Sequence, residues 1–313
     1  KDKKIPANSE VLDTLKKITS FIKPEPKEKD TIKDNDKKEN EKEKIKESNK
    51  KSIVLKVEEN LLMVGFKKDL KKRPVELKND IGVISTLKPH QGEGLEWLSS
   101  TWNKGLPGVL LADDMGLGKT LQGICFVTRI INSIKDNLIP KGPILIVAPT
   151  GLLANWDEEF QKHLDDSFYK SLNILKAYGT DLRAIRKENI NERIVGHEVL
   201  NLDLVKNRDI IFTTYESLRD YQKSLCKIKY PLVIYDEIQK VKTPGTLNTQ
   251  AAKAVNADFS LGLTGTPIEN RLADLWNIIE ILSPGLLGGL QEFSKTYEDK
   301  IDREQIIQLN QFL

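Results

Sequence analysis

Cysteine is scarce in this chain. Cys125 and Cys226 are the only two, far apart and outside any Cys-x-x-Cys or Cys/His cluster. That pattern argues against a zinc framework or a disulfide-stapled scaffold, and a reducing cytosol is the compartment to expect. Histidine is almost as rare, with three residues. His163 and His197 have no partners at metal-ligand spacing and read as surface residues. No apolar run approaches the roughly 18 residues of a membrane span, so no membrane partner is expected. The lysine-rich N-terminus also lacks a signal peptide's apolar region. Neither sign of charge dominates, since 49 basic and 46 acidic residues leave a net +3. Lys23–Lys51 holds 11 Lys and 9 Asp/Glu, so it supplies +2 and the remainder only +1. Any nucleic-acid contact must come from a local patch rather than a global field.

What the chain does hold is uneven along its 313 residues. Residues 1–22 place Val11, Leu12, Leu15, Ile18 and Ile22 at helical spacing, with Asn8 or Ser9 as N-cap, which predicts one amphipathic helix. Residues 23–51 contain two prolines and almost no apolar side chains, so they cannot bury enough surface to order and read as a charged linker. Residues 52–84 carry short apolar runs, "SIVLKV" and "NLLMVGF", suggesting a hairpin or small accessory element. The basic cluster Lys67–Arg73 has the charge to touch DNA phosphates, but we read it as a solvated surface.

From residue 85 to about 290 the pattern turns regular. Strand-like runs fall at Gly108–Ala112, Ile144–Ala148, Leu172–Leu175, Asp209–Thr213, Leu232–Tyr235 and Phe259–Leu263. Helix-like segments lie between most of them, at Thr120–Ile134, Leu152–Leu164, Glu216–Leu225, Leu247–Val255 and Leu272–Ile281. The alternation predicts an α/β fold with a parallel sheet covered by helices on both faces.

Two stretches in that region carry chemistry. "GVLLADDMGLGKT" runs from a buried strand through a glycine turn into a helix, the layout of a nucleotide phosphate loop. Backbone N–H groups at such a helix start attract phosphate oxygens. Lys119 is assigned to the β- and γ-phosphates and Thr120 to Mg²⁺. Asp114, Met115, Gly116 and Gly118 complete the cradle, the glycines supplying close backbone approach. The general pattern asks for glycine at 113, where this chain has Asp113; an aspartate tolerates the left-handed backbone better than most residues. "PLVIYDEIQK" ends a buried strand in Asp236-Glu237, carboxylates delivered to the sheet edge where ligands bind. Asp236 is assigned to Mg²⁺ and Glu237 to the attacking water.

With these motifs in order, residues Leu87 to about Phe293 resemble the first RecA-like lobe of a SWI/SNF-type ATPase of helicase superfamily two, with the look of a bacterial member. "LKPHQGEGLEWL" resembles the Q motif, which implies that Gln91 reads the adenine edge. "LLADDMGLGKT" matches the family's own phosphate loop, in which Asp is ordinary at 113. "ILIVAPTGLLANWDEEF", "DIIFTTYESL" and "LTGTPIENRLADLWNIIEILSPGLLG" resemble motif Ia, its successor and motif III. The resemblance implies ATP and Mg²⁺ as ligands, and double-stranded DNA as a partner held sequence-independently through its phosphates. Thr150, Asn155 and Thr214 fall in the DNA-facing motifs, while Gln239, Thr264 and Thr266 fall in the coupling segment. Trp156 we read as a core aromatic. Gln239 and Ile238 depart from the histidine and small residue common in relatives, and His90 from tyrosine. Residues 291–313 read as the start of an inter-lobe helical segment, with the second RecA-like lobe and its arginines expected to be absent and turnover expected to be poor. The parent motor is expected to move along DNA and displace bound proteins. A strand-separating helicase, a restriction-type translocase and a catalytically weak DNA-binding scaffold stay open as alternatives, as does recruitment of a protein partner through the N-terminal region.

Overall fold

The computed structural model describes residues 73, 76, 77, 80–186, 199–266 and 272–297. The expectations for residues 1–22, 23–51, most of 52–84, 298–313 and His197 therefore lie outside the described residues. Chain order within them is α1 (Pro89–Asn103), β1 (Gly108–Leu111), α2 (Lys119–Lys135), β2 (Ile144–Val147), α3 (Thr150–His163), α4 (Asp166–Ser171), β3 (Ile174–Ala177) and α5 (Leu202–Lys206). There follow β4 (Ile210–Thr213), α6 (Tyr215–Asp220), α7 (Gln222–Leu225), β5 (Lys229–Asp236), α8 (Leu247–Lys253), β6 (Asn256–Leu263), α9 (Leu272–Leu282) and α10 (Leu290–Tyr297).

The six strands form one sheet in the order β1-β6-β5-β2-β4-β3, with every neighbouring pair parallel. Because side chains alternate across a strand, each strand feeds two cores. Ile144, Ile146, Ile210, Phe212 and Ile234 pack under α1, α2 and α3. Their sequence neighbours Leu145, Val147, Ile211, Val233 and Tyr235 pack under α6 to α9. This is the RecA-like doubly covered sheet.

The register aligns the strand ends. Leu111 pairs with Leu263, which pairs with Asp236. Tyr235 pairs with Val147, and Val147 with Thr213. The loops after β1, β5, β6, β2 and β4 therefore leave the sheet along one carboxyl edge, where ligands of open α/β sheets bind.

Several segments differ from expectation. Strand β3 sits two residues later than the run Leu172–Leu175, with Leu175 and Ala177 turned inward. The segment expected as one helix over Glu216–Leu225 is two, α6 and α7, separated at Tyr221 with φ −107° and ψ 20°. His163 is buried rather than on the surface: its Nδ1 lies 2.6 Å from Ser85 Oγ and its Nε2 2.7 Å from Glu159 Oε2. Arg73, the end of the basic cluster, is not solvated either. Its guanidinium lies 4.2 Å from the Trp102 ring centroid and donates to the carbonyls of Trp102, Leu106 and Asp258. A cation over an aromatic face with its N–H groups satisfied is a structural staple.

Candidate functional site

The phosphate loop hangs between β1 and α2. Residues Asp114–Leu117 are exposed, and Gly116 and Gly118 have φ of +87° and +84°, values at which any side chain is strained. An added Cβ at Gly118 would lie 2.2 Å from Gln91 Nε2, whereas one at Gly116 would meet nothing within 4 Å. Gly118 is also the N-cap of α2, and no side chain caps that helix or places an acid in its first turn. The positive end of the helix dipole is thus left for an anion. Lys119 Nζ sits 2.7 Å from Asp113 O and 3.1 Å from Asp114 O, a cation resting on the loop's own carbonyls.

Asp113 is not explained by left-handed backbone: its φ is not positive. Its carboxylate instead accepts a hydrogen bond from Gln122 Nε2 at 3.2 Å, tying the loop entrance to the second turn of α2. Gln91 spans the other side. Its Nε2 donates to Leu117 O at 3.0 Å and its Oε1 accepts from Lys88 N–H at 3.0 Å, so it closes the first turn of α1 while holding the loop. His90 Nε2 lies 3.2 Å from the same carbonyl. Met115 is 76% exposed, yet its Cγ lies where a Cβ on Gly265 would be, at 2.6 Å; the phosphate loop thereby leans on the loop after β6.

The carboxylate side is built differently. Asp236 ends β5 with both oxygens held, Oδ2 by Trp156 Nε1 at 2.8 Å and Oδ1 by the Glu237 N–H at 3.0 Å. Tyr215 Oη donates to the Asp236 carbonyl at 2.9 Å. Burial lifts the Asp236 carboxyl above its ordinary range against the opposing pull of the Trp156 hydrogen bond, and the neighbouring Glu237 charge adds to the lift. Glu237 adopts φ +51° and ψ +50°, a left-handed backbone that costs a side-chain-bearing residue about 1–2 kcal/mol. Its carboxylate accepts from Gln239 Nε2. Gln239 Oε1 accepts in turn from Thr264 Oγ1 at 2.7 Å, and Thr264 Oγ1 accepts from Thr266 N–H at 3.0 Å. One polar chain therefore joins the end of β5 to the loop after β6. Ile238, larger than the small residue common at that place, is fully buried where Gly262 leaves it room.

Of the residues assigned to DNA, Thr150 and Asn155 are exposed on the first turns of α3. Thr214 is buried as the N-cap of α6, its Oγ1 accepting from Ser217 N–H at 3.0 Å. All three stand at the same carboxyl edge, after β2 and β4.

The residues present fit Mg²⁺ with a nucleotide. The uncapped helix start suits phosphate, and Thr120 and Asp236 offer the hard oxygen donors that Mg²⁺ takes alongside water. Sequence reasoning missed the hydrogen bonds of Trp156 and Tyr215 to Asp236. Their partners lie 80 and 21 residues away, beyond any periodicity. Gln122, nine residues from Asp113, lies across the phosphate-loop turn, where no periodicity relates the two.

Residues 90–313 match the model of the SNF2-related domain. The chain belongs to the SNF2-related family. It is 39% identical over 271 residues to Zorya protein ZorD of Escherichia coli O139:H28, covering 80% of this chain and 24% of that protein. It is 32% identical over 238 residues to transcription regulatory protein SNF2 of Saccharomyces cerevisiae, covering 74% of this chain and 12% of the relative. Among solved structures, the Sulfolobus solfataricus SWI2/SNF2 ATPase core in complex with dsDNA matches with a TM-score of 0.57 and 31% identity, over 75% of this chain and 44% of that one. The chain thus spans about a quarter or less of the length of these two curated relatives. In this SNF2-related lobe, the phosphate loop, the Asp236-Glu237 pair and the loop after β6 occupy one sheet edge.

Proposed function

We propose that this lobe binds Mg²⁺ and ATP and, as part of a longer motor with a second lobe, hydrolyses ATP to drive movement along double-stranded DNA, displacing proteins bound there. The observation that carries the reading is the polar chain Glu237–Gln239–Thr264–Thr266, which ties the carboxylate after β5 to the loop after β6, beside the phosphate loop. Phosphates entering the cradle replace the loop carbonyls as partners of Lys119, which then neutralises their charge. Thr120 and Asp236 would hold Mg²⁺, which supplies charge neutralisation on the transferring phosphoryl group. Glu237 orients the attacking water and accepts its proton. In the resting arrangement that carboxylate accepts from Gln239, whose own Oε1 accepts from Thr264, so a shift of the loop after β6 is felt at the base. A partner that shifts Thr264 and Thr266 thereby gains a route to regulate turnover. The relative solved with dsDNA supports a duplex as that partner.

The test is ATP turnover with and without duplex DNA by the longest protein containing this lobe, combined with triplex displacement and strand separation on the same DNA. Stimulated turnover and triplex displacement without strand separation are expected. Strand separation would replace the reading with a helicase. Full biological activity in Lys119→Ala or Glu237→Gln would leave a DNA-binding scaffold.

A further inference from the structure

Trp156 is 1% exposed and one residue past the exposed Asn155, so composition alone makes it a core aromatic. Its ring does fill the core. A Cβ on Gly123 of α2 would lie 3.1 Å from the ring, and the Phe160 ring packs against it, tilted by 40° with 6.0 Å between centroids. A phenylalanine would serve that packing. What only the indole provides is an N–H, and a buried indole N–H must find an acceptor. The acceptor here is Oδ2 of Asp236, at 2.8 Å. Donation to an ionised carboxylate is the stronger, more directional kind of hydrogen bond. With Oδ1 held by Glu237 N–H, both oxygens are fixed and the plane of the carboxylate is set before any ligand arrives.

The same indole touches three functional elements. It grows from α3, whose exposed start carries Thr150 and Asn155. It rests on α2, whose N-terminus is the phosphate loop. It ends on the carboxylate assigned to the metal. We infer that Trp156 is a positioning residue for the carboxylate assigned to Mg²⁺, aiming Asp236 from the helix whose exposed start is assigned to DNA. This rests on the proposed nucleotide site. Outer partners that aim a ligating carboxylate usually change metal affinity about 10–100-fold when removed.

The experiment uses the 313-residue chain with ADP as probe. ADP affinity is measured without Mg²⁺ and across a Mg²⁺ titration for wild type and Trp156→Phe, which keeps the ring and removes the donor. The expected result is metal-free ADP affinity within about twofold of wild type and a Mg²⁺ requirement raised about tenfold or more. In parallel, the Trp156 indole N–H resonance of the wild-type chain is assigned through its correlations to the Trp156 backbone. It should move on adding Mg²⁺ to the ADP complex and stay in place with ADP alone. This second readout holds if the Phe variant fails to fold. An unchanged Mg²⁺ requirement in Trp156→Phe, or an indole resonance indifferent to Mg²⁺, overturns the inference while leaving the nucleotide site standing. Wild-type ADP binding with no Mg²⁺ dependence overturns both.

Discussion

The two halves of the proposed nucleotide site are held in opposite ways. On the β1 side, the phosphate loop is exposed, pivots on two left-handed glycines and keeps its lysine on its own carbonyls. On the β5 side, Asp236 is half-buried, fixed through both oxygens and its carbonyl, and followed by a glutamate in a strained backbone. An anion-binding loop must exchange partners as phosphate comes and goes, so few internal ties favour it. A carboxylate that aims a metal and a base gains from preorganisation, because reorientation during reaction would raise the barrier. The left-handed Glu237 is strain held by its surroundings, as is common at functional sites.

The comparison breaks most directly at Lys119. Lys119→Ala should leave the fold intact and lower turnover on the order of 10²–10³-fold, the scale of losing one preorganised charge partner; steady-state ATPase and thermal unfolding measure both. Next is Gln239→Ala, which cuts the polar chain while leaving the phosphate loop untouched. DNA stimulation should fall about 5–150-fold, the range of typical coupling energies, with ADP affinity within about twofold. Equal loss of basal and stimulated rates would mean that Gln239 serves the chemistry and not the coupling.

The glycines sharpen the first half. Gly118→Ala and Gly116→Ala share a left-handed backbone, which costs each about 1–2 kcal/mol, but only the former meets a side chain, Gln91 Nε2 at 2.2 Å. Urea denaturation should rank Gly118→Ala as the less stable, and nucleotide affinity should follow. Glu237 tests the second half in the opposite direction. Glu237→Gly should raise stability by about 0.5–1 kcal/mol through relief of the left-handed strain, while abolishing turnover. Glu237→Gln should abolish turnover without that gain.

The smallest effect concerns pH. Burial raises the Asp236 pKa above its unfolded value, so ionised Asp236 destabilises the fold at pH above the folded pKa. As pH falls through that folded pKa, the folded state binds the proton first and the penalty shrinks. Wild type should therefore gain stability relative to Asp236→Asn as pH falls from 7 through the folded pKa, on top of the pH-independent cost of setting an amide N–H against the Trp156 or Glu237 N–H. A wild type that loses ground to the variant on acidification would show that burial does not govern this group.

Much of the architecture was legible because it is periodic. All six apolar runs became strands, and the two carboxylates and the lysine converge because parallel strands bring their carboxyl ends to one edge. The exceptions are contacts between distant residues or local choices made by packing. His163 looked like a surface residue because Ser85, one of its two partners, is 78 residues away, although the other, Glu159, stands four residues earlier on the same helix. Trp156 was legible as a core ring but not as a donor, since nothing in "LANWDEEF" points toward Asp236. The break between α6 and α7 has no mark in the sequence, for the apolar spacing runs through Tyr221 unbroken. Asp113 was legible as a family letter, though its bond to Gln122 replaced the backbone explanation.

Helix α2 has a consequence of its own. From Leu121 to Ser133 every residue is buried, with the sheet on one side and α1 and α3 on the other. A helix without a solvent face cannot roll or slide without opening a core packed like a solid. It is the fixed wall of the sheet edge. Any rearrangement that accompanies the proposed nucleotide exchange falls to the loops there, with α2 as their reference point.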